Sequence, residues 1–356
     1  MNAPASAVAG RVLVYGANGY TGVLIAEEMQ RRGLDTLIAG RNRGAIEALG
    51  RRLGFATRVF DLDDPAAIRP AFEGVALLLN CAGPFSRTAA PLLEACLAQR
   101  VHYLDITGEI DVFALCHRAD ARARERGIVV APGVGFDVVP TDCVAAMLKQ
   151  RLPDANQLVL AFEAGGGPSP GTARTSIAGL AKGGRARRNG QLIDVPLAWK
   201  VREFERDGMR RSAMTIPWGD VYTAFVSTGI PNIETYMAVS PKTISRTRWM
   251  RYAQPLLRID AVRRHIEQRT VAQTRGPDAE RRRTTGCHIW GEVRNAGGRE
   301  AKLAIRTPNG YTLTADAALG IVSHVLEAKP DGGYYTPSQL VGADYVLQLP
   351  GVSLVS

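Results

Sequence analysis

Several features that define other protein classes are missing from this 356-residue sequence. Its five cysteines contain no CxxC pair, so a zinc site or redox disulfide of that kind is excluded. No run approaches the roughly 18 apolar residues of a membrane span. The first ten residues have neither the basic nor the apolar part of a secretory signal. These absences predict a soluble cytoplasmic protein with a disordered N-terminal tip, no membrane span and no bound metal.

Two dehydrogenase signatures are also absent. No tyrosine is followed four residues later by lysine, which is the acid–base pair of short-chain dehydrogenases. The adjacent pairs Cys116-His117 and Cys287-His288 are too close in sequence to form an ordinary two-ligand metal chelate. Any redox chemistry must therefore use other groups.

Acidic residues are outnumbered by basic ones, and the formal net charge is +10. The densest basic stretch, 246–286, interleaves Arg with apolar positions at helical spacing. This pattern favours a solvated helix face, with docking of an acidic partner such as an acyl-carrier protein as an alternative. Arg is spread along the whole chain rather than clustered, which disfavours a nucleic-acid partner.

The first 150 residues alternate short apolar runs with helix-like segments. This alternation predicts an α/β Rossmann-type domain over 1–150, with a doubly wound parallel sheet. The six predicted strands are 11–15, 36–40, 56–60, 75–80, 101–105 and 127–132. The main helices are predicted at 21–33, 44–54, 89–100 and 111–127, with a short segment after Asp63.

The sequence over 151–309 predicts a second α+β domain with a mixed or antiparallel sheet. Runs at 157–164, 213–227 and 233–240 predict strands, and 287–308 predicts a hairpin that turns at 295–298. A helix is predicted over 310–329, so that the segment 310–356 packs back on the first domain. An exposed sheet edge in the second domain could pair two subunits into a homodimer.

The glycine-rich segment "GANGYTG" (16–22) follows the first strand and opens the first helix. Its glycines suit a tight turn, a close approach to a pyrophosphate and tight helix–strand packing, with the phosphate at the helix N-terminus. A turn without ligand is the alternative for an isolated triplet, but the strand–helix alternation favours a dinucleotide. The predicted cofactor contacts here are Gly16, Ala17, Asn18, Gly19, Tyr20, Thr21 and Gly22.

The ends of the next strands discriminate between the two nicotinamide cofactors. The second strand ends in Gly40-Arg41-Asn42 and has no carboxylate for a ribose 2′-hydroxyl, while Arg41 could bind a 2′-phosphate, so NADP is predicted. Surface exposure of Arg41 without a ligand is the alternative. Further predicted cofactor contacts follow the third and fourth strands: Asp61, Leu62, Cys81, Ala82, Gly83 and Pro84.

The motifs "GANGYTG", "AGRNR", "CAGPF", "HYLDITGE" and "GVGFDVVPTD" occur in that order, and the chain resembles the saccharopine dehydrogenase-like oxidoreductases, including the trans-acting enoyl reductases. The resemblance is dense over the first 150 residues and thin beyond them. It implies an NADP-binding Rossmann domain, an inserted second domain, and hydride transfer to or from a C=C or C=N bond.

Acidic loops after the fifth and sixth strands provide the catalytic candidates. Asp105, Thr107 and Asp137 could hold substrate or donate a proton, with Glu109 and Tyr311 as further candidates. The alternatives are that Asp105 ties its own loop together and that Asp137 caps the helix near Pro140. We expect NADPH-dependent reduction of a small-molecule or acyl-thioester enoyl substrate. Alternatives are an opine- or imine-type dehydrogenase, in which Arg174 would hold a carboxylate, and an NADP-binding sensor or scaffold without turnover.

Overall fold

The structure is a computed structural model that describes residues 10–257 and 259–355. The predicted disordered tip therefore lies outside the described residues. From Arg11 to Arg151 the chain alternates strands and helices. The elements are β1 (Arg11–Tyr15), α1 (Tyr20–Arg32), β2 (Thr36–Gly40), α2 (Arg43–Leu53), β3 (Ala56–Val59), α3 (Pro65–Ala71), β4 (Val75–Asn80), α4 (Phe85–Gln99), β5 (His102–Asp105), α5 (Ile110–Arg118), α6 (Asp120–Arg126), β6 (Val129–Ala131) and α7 (Val139–Arg151).

These strands form a parallel sheet whose order is β6-β5-β4-β1-β2-β3. Successive residues of β1 enter opposite clusters: Val12 and Val14 lie in one buried cluster, and Leu13 lies in another. Both faces of the sheet are thus covered, as the prediction of a doubly wound sheet requires. The strand order reverses between β1 and β4, and ligands of such sheets bind outside the carboxyl ends of the strands at this point.

Helix α1 illustrates how local sequence sets these boundaries. Ile25 and Met29 stand one turn apart and are fully buried, while Arg31 and Arg32 occupy the last turn. The helix ends at Gly33, whose φ of 68° lies in the left-handed region that glycine tolerates best. The predicted end of this helix is confirmed.

The second half of the chain forms a mixed sheet with helices. Its elements are β7 (Gln157–Ala164), α8 (Pro170–Lys182), β8 (Gly184–Arg188), β9 (Gln191–Val195), β10 (Val201–Arg206), β11 (Met209–Thr215), α9 (Asp220–Thr228), β12 (Asn232–Ala238), α10 (Pro241–Leu257), α11 (Asp260–Gln273), α12 (Ala279–Thr284), β13 (Gly286–Arg294), β14 (Glu300–Pro308), α13 (Gly310–Ala328), β15 (Gly333–Tyr334), α14 (Pro337–Val341), α15 (Tyr345–Gln348) and β16 (Ser353–Val355).

The second sheet has the order β10-β11-β12-β7-β13-β14-β16, and the β8–β9 hairpin joins it through β12. β12 and β7 are parallel, whereas β13 and β14 form the predicted antiparallel hairpin. The predicted strand over 213–227 is wrong in its second half, which forms α9. Pro217 has no N–H for a sheet ladder, and the following buried residues recur at helical spacing.

The C-terminal segment contributes to both sheets. Helix α13 packs against α1, where an Arg32 nitrogen lies 2.7 Å from an Asp316 oxygen. β15 adds a parallel seventh strand beside β6, and β16 pairs with β14. This segment therefore ties the two sheets together, while the boundaries at residues 150 and 310 stay a prediction.

Candidate functional site

The N-terminus of α1 is open to an anion. Gly19 is the N-cap, no side chain of the described residues caps the helix, and its first turn contains no acidic residue. The first N–H groups of a helix have no partner within the helix, and its dipole favours negative charge at this end. The predicted phosphate position therefore has free backbone donors.

Two glycines make this turn sterically feasible. A β-carbon on Gly22 would lie 2.3 Å from the carbonyl oxygen of Gly16, which is far inside contact distance. Gly16 has a φ of +81°, and a β-carbon there would lie 2.7 Å from the side chain of Ala82. The turn after β1 thus packs directly on the loop after β4, and larger residues would push the two apart.

Tyr20, a predicted cofactor contact, is held by residues far away in the sequence. Its hydroxyl donates to the carbonyl of Pro277 and accepts a 3.0 Å hydrogen bond from Arg282. Its ring centre lies 4.8 Å from that of Tyr311, whose hydroxyl accepts a 2.5 Å hydrogen bond from the Ser169 N–H. Both tyrosines therefore connect the phosphate turn to the second half of the chain.

Ser169 begins a helix rather than acting as a nucleophile. Residues 167–171 match the Gly-x-Ser-x-Gly pattern of serine hydrolases. The Ser169 hydroxyl accepts the Thr172 N–H at 3.2 Å and thereby caps α8. Among the described residues, no histidine is hydrogen-bonded to it.

Arg41, at the end of β2, is exposed. Within 10–257 and 259–355 no hydrogen bond or ion pair to Arg41 is found, whereas the neighbouring Arg43 pairs with Glu47 at 3.2 Å. Burial raises the pKa of Tyr15 to about 12, with Asp61 adding to the rise and Arg41 opposing it. The charges of Arg41 and Asp61 therefore lie at the same edge as the Tyr15 hydroxyl.

Other predicted cofactor contacts near this edge have structural partners. The Asn42 side chain accepts the Ala45 N–H at 3.0 Å and caps α2. Asp61 accepts the Asp63 N–H at 3.1 Å, and Leu62 is half-buried beside it. Asn18 lies against the end of β2, because a β-carbon on Gly40 would be 3.0 Å from its side-chain oxygen.

The loop that contains Cys81, Ala82, Gly83 and Pro84 is held in place by hydrogen bonds with Asn80 and Thr88. Asn80 accepts the Ala82 N–H at 3.0 Å, and the Thr88 hydroxyl donates to the Ala82 carbonyl at 2.7 Å. Cys81 donates its N–H to the Tyr15 carbonyl, and burial raises the pKa of its thiol. Thr88 was not among the residues predicted from the sequence, because its role depends on the return of α4 over the loop.

Glu109 is a helix cap in this structure. Its two carboxylate oxygens accept the N–H groups of Phe85, at 2.7 Å, and Ser86, at 3.0 Å. These are the first residues of α4, so this helix N-terminus already has its negative charge. Helices α1 and α4 follow β1 and β4, between which the strand order reverses, and of these two the α1 N-terminus has no capping side chain among the described residues.

Asp105 and Thr107 hold the neighbouring loop in place. The fully buried Asp105 accepts hydrogen bonds from the Tyr103 hydroxyl at 2.7 Å and from the N–H groups of Thr107 and Gly133 at 2.9 Å. Burial raises its pKa to about 6, although these bonds act in the opposite direction. The Thr107 hydroxyl accepts the Glu109 N–H at 3.0 Å. Asp105 thus ties its own loop together in this structure, and its catalytic role stays a prediction.

Asp137 differs from the other candidate acids because its carboxylate has no hydrogen-bond partner among the described residues and retains some exposure. It lies against Gly108, where a β-carbon would be 3.0 Å from a carboxylate oxygen. Trp218 donates a 2.7 Å hydrogen bond to the Asp137 backbone carbonyl. Burial raises the pKa of the Asp137 carboxyl to about 7. It does not cap α7, whose N-cap is Val138 without a side-chain bond.

A second unusual acid, Asp220, was missed by sequence analysis. It is fully buried in the first turn of α9, and neither carboxylate oxygen has a hydrogen-bond partner in the described part of the chain. Burial raises its pKa well above the ordinary value, the nearby Thr141 hydroxyl opposes this rise, and the charges of Asp142 and Asp137 add to it. Asp220 lies within 213–227, which was predicted as a strand, so its burial in the first turn of a helix was not expected.

Among the described residues, no group of three or more His, Cys, Asp or Glu side chains is arranged to hold a metal ion. Across the same ranges, no helix combines the length and the apolar character that crossing a bilayer requires.

Comparisons with known proteins agree with the predicted resemblance. The family model described as "Saccharopine dehydrogenase NADP binding domain" matches residues 12–129, which confirms NADP as the predicted cofactor. A rat saccharopine dehydrogenase-like oxidoreductase is 28% identical over 152 residues, which cover 37% of this chain and 35% of that protein. A protein of Mycobacterium tuberculosis named as a trans-acting enoyl reductase is 30% identical over 183 residues, 45% of this chain and 42% of that protein. The alignments thus span less than half of these relatives.

One solved structure shares the fold along nearly the whole chain. It is apo saccharopine dehydrogenase (L-Glu forming) from Saccharomyces cerevisiae, with a TM-score of 0.63 at 9% identity. The superposition covers 98% of this chain and 100% of that one. At this identity the similarity shows a common architecture of both halves and confirms the predicted fold class.

Proposed function

We propose that the protein is an NADPH-dependent oxidoreductase that reduces an activated C=C bond. Its residues 12–129 match a saccharopine dehydrogenase NADP-binding domain. The relatives named as trans-acting enoyl reductases, from Mycobacterium tuberculosis and Mycobacterium ulcerans, support this reaction class at 30% and 28% identity. The proposal depends on the site residues, because the shared segment is less than half of each relative.

The residues present fit the cofactor. The uncapped N-terminus of α1 and the Gly16–Gly22 cradle would hold the pyrophosphate, and Arg41 would hold the 2′-phosphate. Asp61 and Leu62 would flank the adenine, and Cys81–Pro84 would line the ribose and nicotinamide. When bound, NADPH supplies the hydride.

The environment of the Asp137 carboxyl is the observation that supports the proposed activity most strongly. A carboxyl with a pKa of about 7 is protonated in a large fraction of molecules at neutral pH, which is what a general acid requires. Because the carboxyl has no hydrogen-bond partner among the described residues and is partly exposed, it could donate its proton to the α-carbon of an enoyl substrate. Asp105 and Thr107 would position the adjacent loop.

Reduction of a C=N bond is a second candidate function. Arg174 and Arg264 line one groove between α8 and α11, together with Glu267. Two guanidinium groups could hold the carboxylate of an amino-acid-like substrate. This arrangement favours an opine- or imine-type reaction over a purely apolar substrate.

The test is NADPH oxidation with a panel of enoyl-thioesters and of keto-acid/amine pairs. We expect turnover with the enoyl substrates, and Asp137→Asn to lower it by about 100-fold without changing the Kd for NADPH. Asp35→Asn, a surface acid paired with Arg11, is the matched control and leaves turnover unchanged. Turnover of keto-acid/amine pairs alone would favour the C=N reaction, and NADPH binding without any turnover would favour a sensor or scaffold.

A further inference from the structure

The exposed large apolar residues of the described chain are concentrated in one segment. Five of the eight lie between 249 and 262 on α10 and α11. We call this set the outer stripe: Trp249 (74% exposed), Tyr252 (81%), Leu256 (57%), Ile259 (51%) and Val262 (36%). Scattered single exposed apolar residues are ordinary on a protein surface, but a set on one face marks an interaction site. Trp249, Tyr252 and Leu256 recur at helical spacing and therefore share one face of α10.

Helix α10 is held firmly on its other side. Ile244, Thr247 and Leu257 are buried, and Arg251 donates two hydrogen bonds to the backbone carbonyls of Leu197 and Ala198. The outer stripe therefore faces outward because the opposite face of α10 is anchored on the protein. Its two aromatic rings lie beside each other, with centres 5.9 Å apart.

The charged residues of α10, which carries Trp249, Tyr252 and Leu256, have one sign. Helix α10 contains Lys242, Arg246 and Arg248 besides the anchoring Arg251 and has no acidic residue, and the nearest acid along the chain, Asp260, begins α11. A two-fold dimer through this face would bring the same cations together, so a second copy is disfavoured. The charge instead suits an anionic surface.

The composition of the stripe distinguishes between anionic surfaces. Trp and Tyr could stack on nucleic-acid bases, but Leu256, Ile259 and Val262 would gain nothing from such contacts. A partner helix would need a straight seam, and the chain breaks its helix between α10 and α11. Interfacial helices that combine Trp and Leu with Arg and Lys lie in the headgroup layer of a membrane, which requires no matching shape.

We propose that the outer stripe and its basic residues bind the protein peripherally to anionic lipid membranes. The aromatic and aliphatic side chains would enter the headgroup layer, while Arg246 and Arg248 would contact lipid phosphates and carboxylates. This proposal is independent of the reaction proposed above, since none of these residues was placed in the cofactor site.

The test is co-sedimentation of the full chain with phosphatidylcholine vesicles, with and without phosphatidylserine. We expect binding to the phosphatidylserine vesicles and at least tenfold weaker binding for the Trp249→Ala/Tyr252→Ala variant. Arg246→Gln/Arg248→Gln should lose the preference for anionic vesicles. Met209→Ala and Leu354→Ala remove exposed apolar residues elsewhere and should bind like the parent.

NADPH binding of every variant reports that the fold is intact. Failure of the parent protein to bind either vesicle would overturn the proposal. Equal binding by Trp249→Ala/Tyr252→Ala and the parent would also overturn it. The parent protein could fail to bind vesicles and yet bind an acidic protein or a single-stranded oligonucleotide. If Trp249→Ala/Tyr252→Ala loses that binding, the stripe is assigned to that other partner and the membrane proposal is overturned.

Discussion

The carboxylate of Glu109 accepts the backbone N–H of Phe85 at 2.7 Å, so an acidic side chain from the loop after β5 closes the N-terminus of α4. Replacing it by alanine leaves two N–H groups of α4 without their partner. We expect Glu109→Ala to lower the free energy of unfolding by about 1–3 kcal/mol, measured by urea denaturation. Glu125→Ala, an exposed change on α6, should alter it by less than about 0.5 kcal/mol. Equal effects of the two changes would contradict the capping role.

The second prediction concerns two glycines in helices. Gly22→Ala places a β-carbon 2.3 Å from the Gly16 carbonyl, whereas a β-carbon on Gly179 would have no heavy atom within 4 Å. We expect Gly22→Ala to weaken NADPH binding by at least about tenfold and to lower stability by about 2 kcal/mol or more. Gly179→Ala should raise stability by about 0.5–1 kcal/mol, because alanine favours the helix. Thermal unfolding and NADPH titration measure both; a Gly22→Ala protein that binds NADPH like the parent would refute the close packing of the turn.

The third prediction follows from the buried acid Asp220. Its folded-state pKa is raised by burial, so above pH 4 the folded chain keeps a proton that the unfolded chain has lost. The retained proton links stability to pH. Asp220 therefore contributes to the free energy of unfolding at low pH, and this contribution falls as pH rises, by up to about 1.4 kcal/mol for each pH unit. Asparagine does not titrate. We expect the stability of Asp220→Asn relative to the parent to increase between pH 4.5 and pH 7.5, as measured by urea denaturation.

The matched control is Asp331→Asn, which changes an exposed acid. Its stability relative to the parent should stay constant over the same pH range. A constant difference for Asp220→Asn as well would show that Asp220 is ionised in the folded protein.

Much of the first sheet was predictable because its signals are local. The run Val12–Val14, the glycines at 16, 19 and 22, and Gly33 at the end of α1 act within a few residues of their positions. Periodicity and turn chemistry report such neighbours directly.

Roles that depend on distant partners could not be read in this way. Tyr20 was predicted as a cofactor contact from its place in the turn, and the hydrogen bonds of its hydroxyl with Pro277 and Arg282 depend on residues more than 250 positions away. Glu109 looked like a catalytic acid, but α4 starts beside it only because β4 and β5 are adjacent and parallel. Asp220 had no signal at all, since a lone aspartate in a run resembling a strand predicts exposure rather than burial.

An NADP site formed by the α1 N-terminus and Arg41 requires Arg41 to distinguish NADPH from NADH, which is measured by titrating Arg41→Ala with both cofactors. Arg43→Ala is the control, because that neighbouring arginine pairs with Glu47. We expect Arg41→Ala to weaken NADPH binding by about 10- to 100-fold, which is the loss of a bidentate contact to a phosphate, and to leave NADH binding within about twofold. Arg43→Ala should change neither. Equal losses for NADPH and NADH in Arg41→Ala would show that Arg41 does not bind the 2′-phosphate.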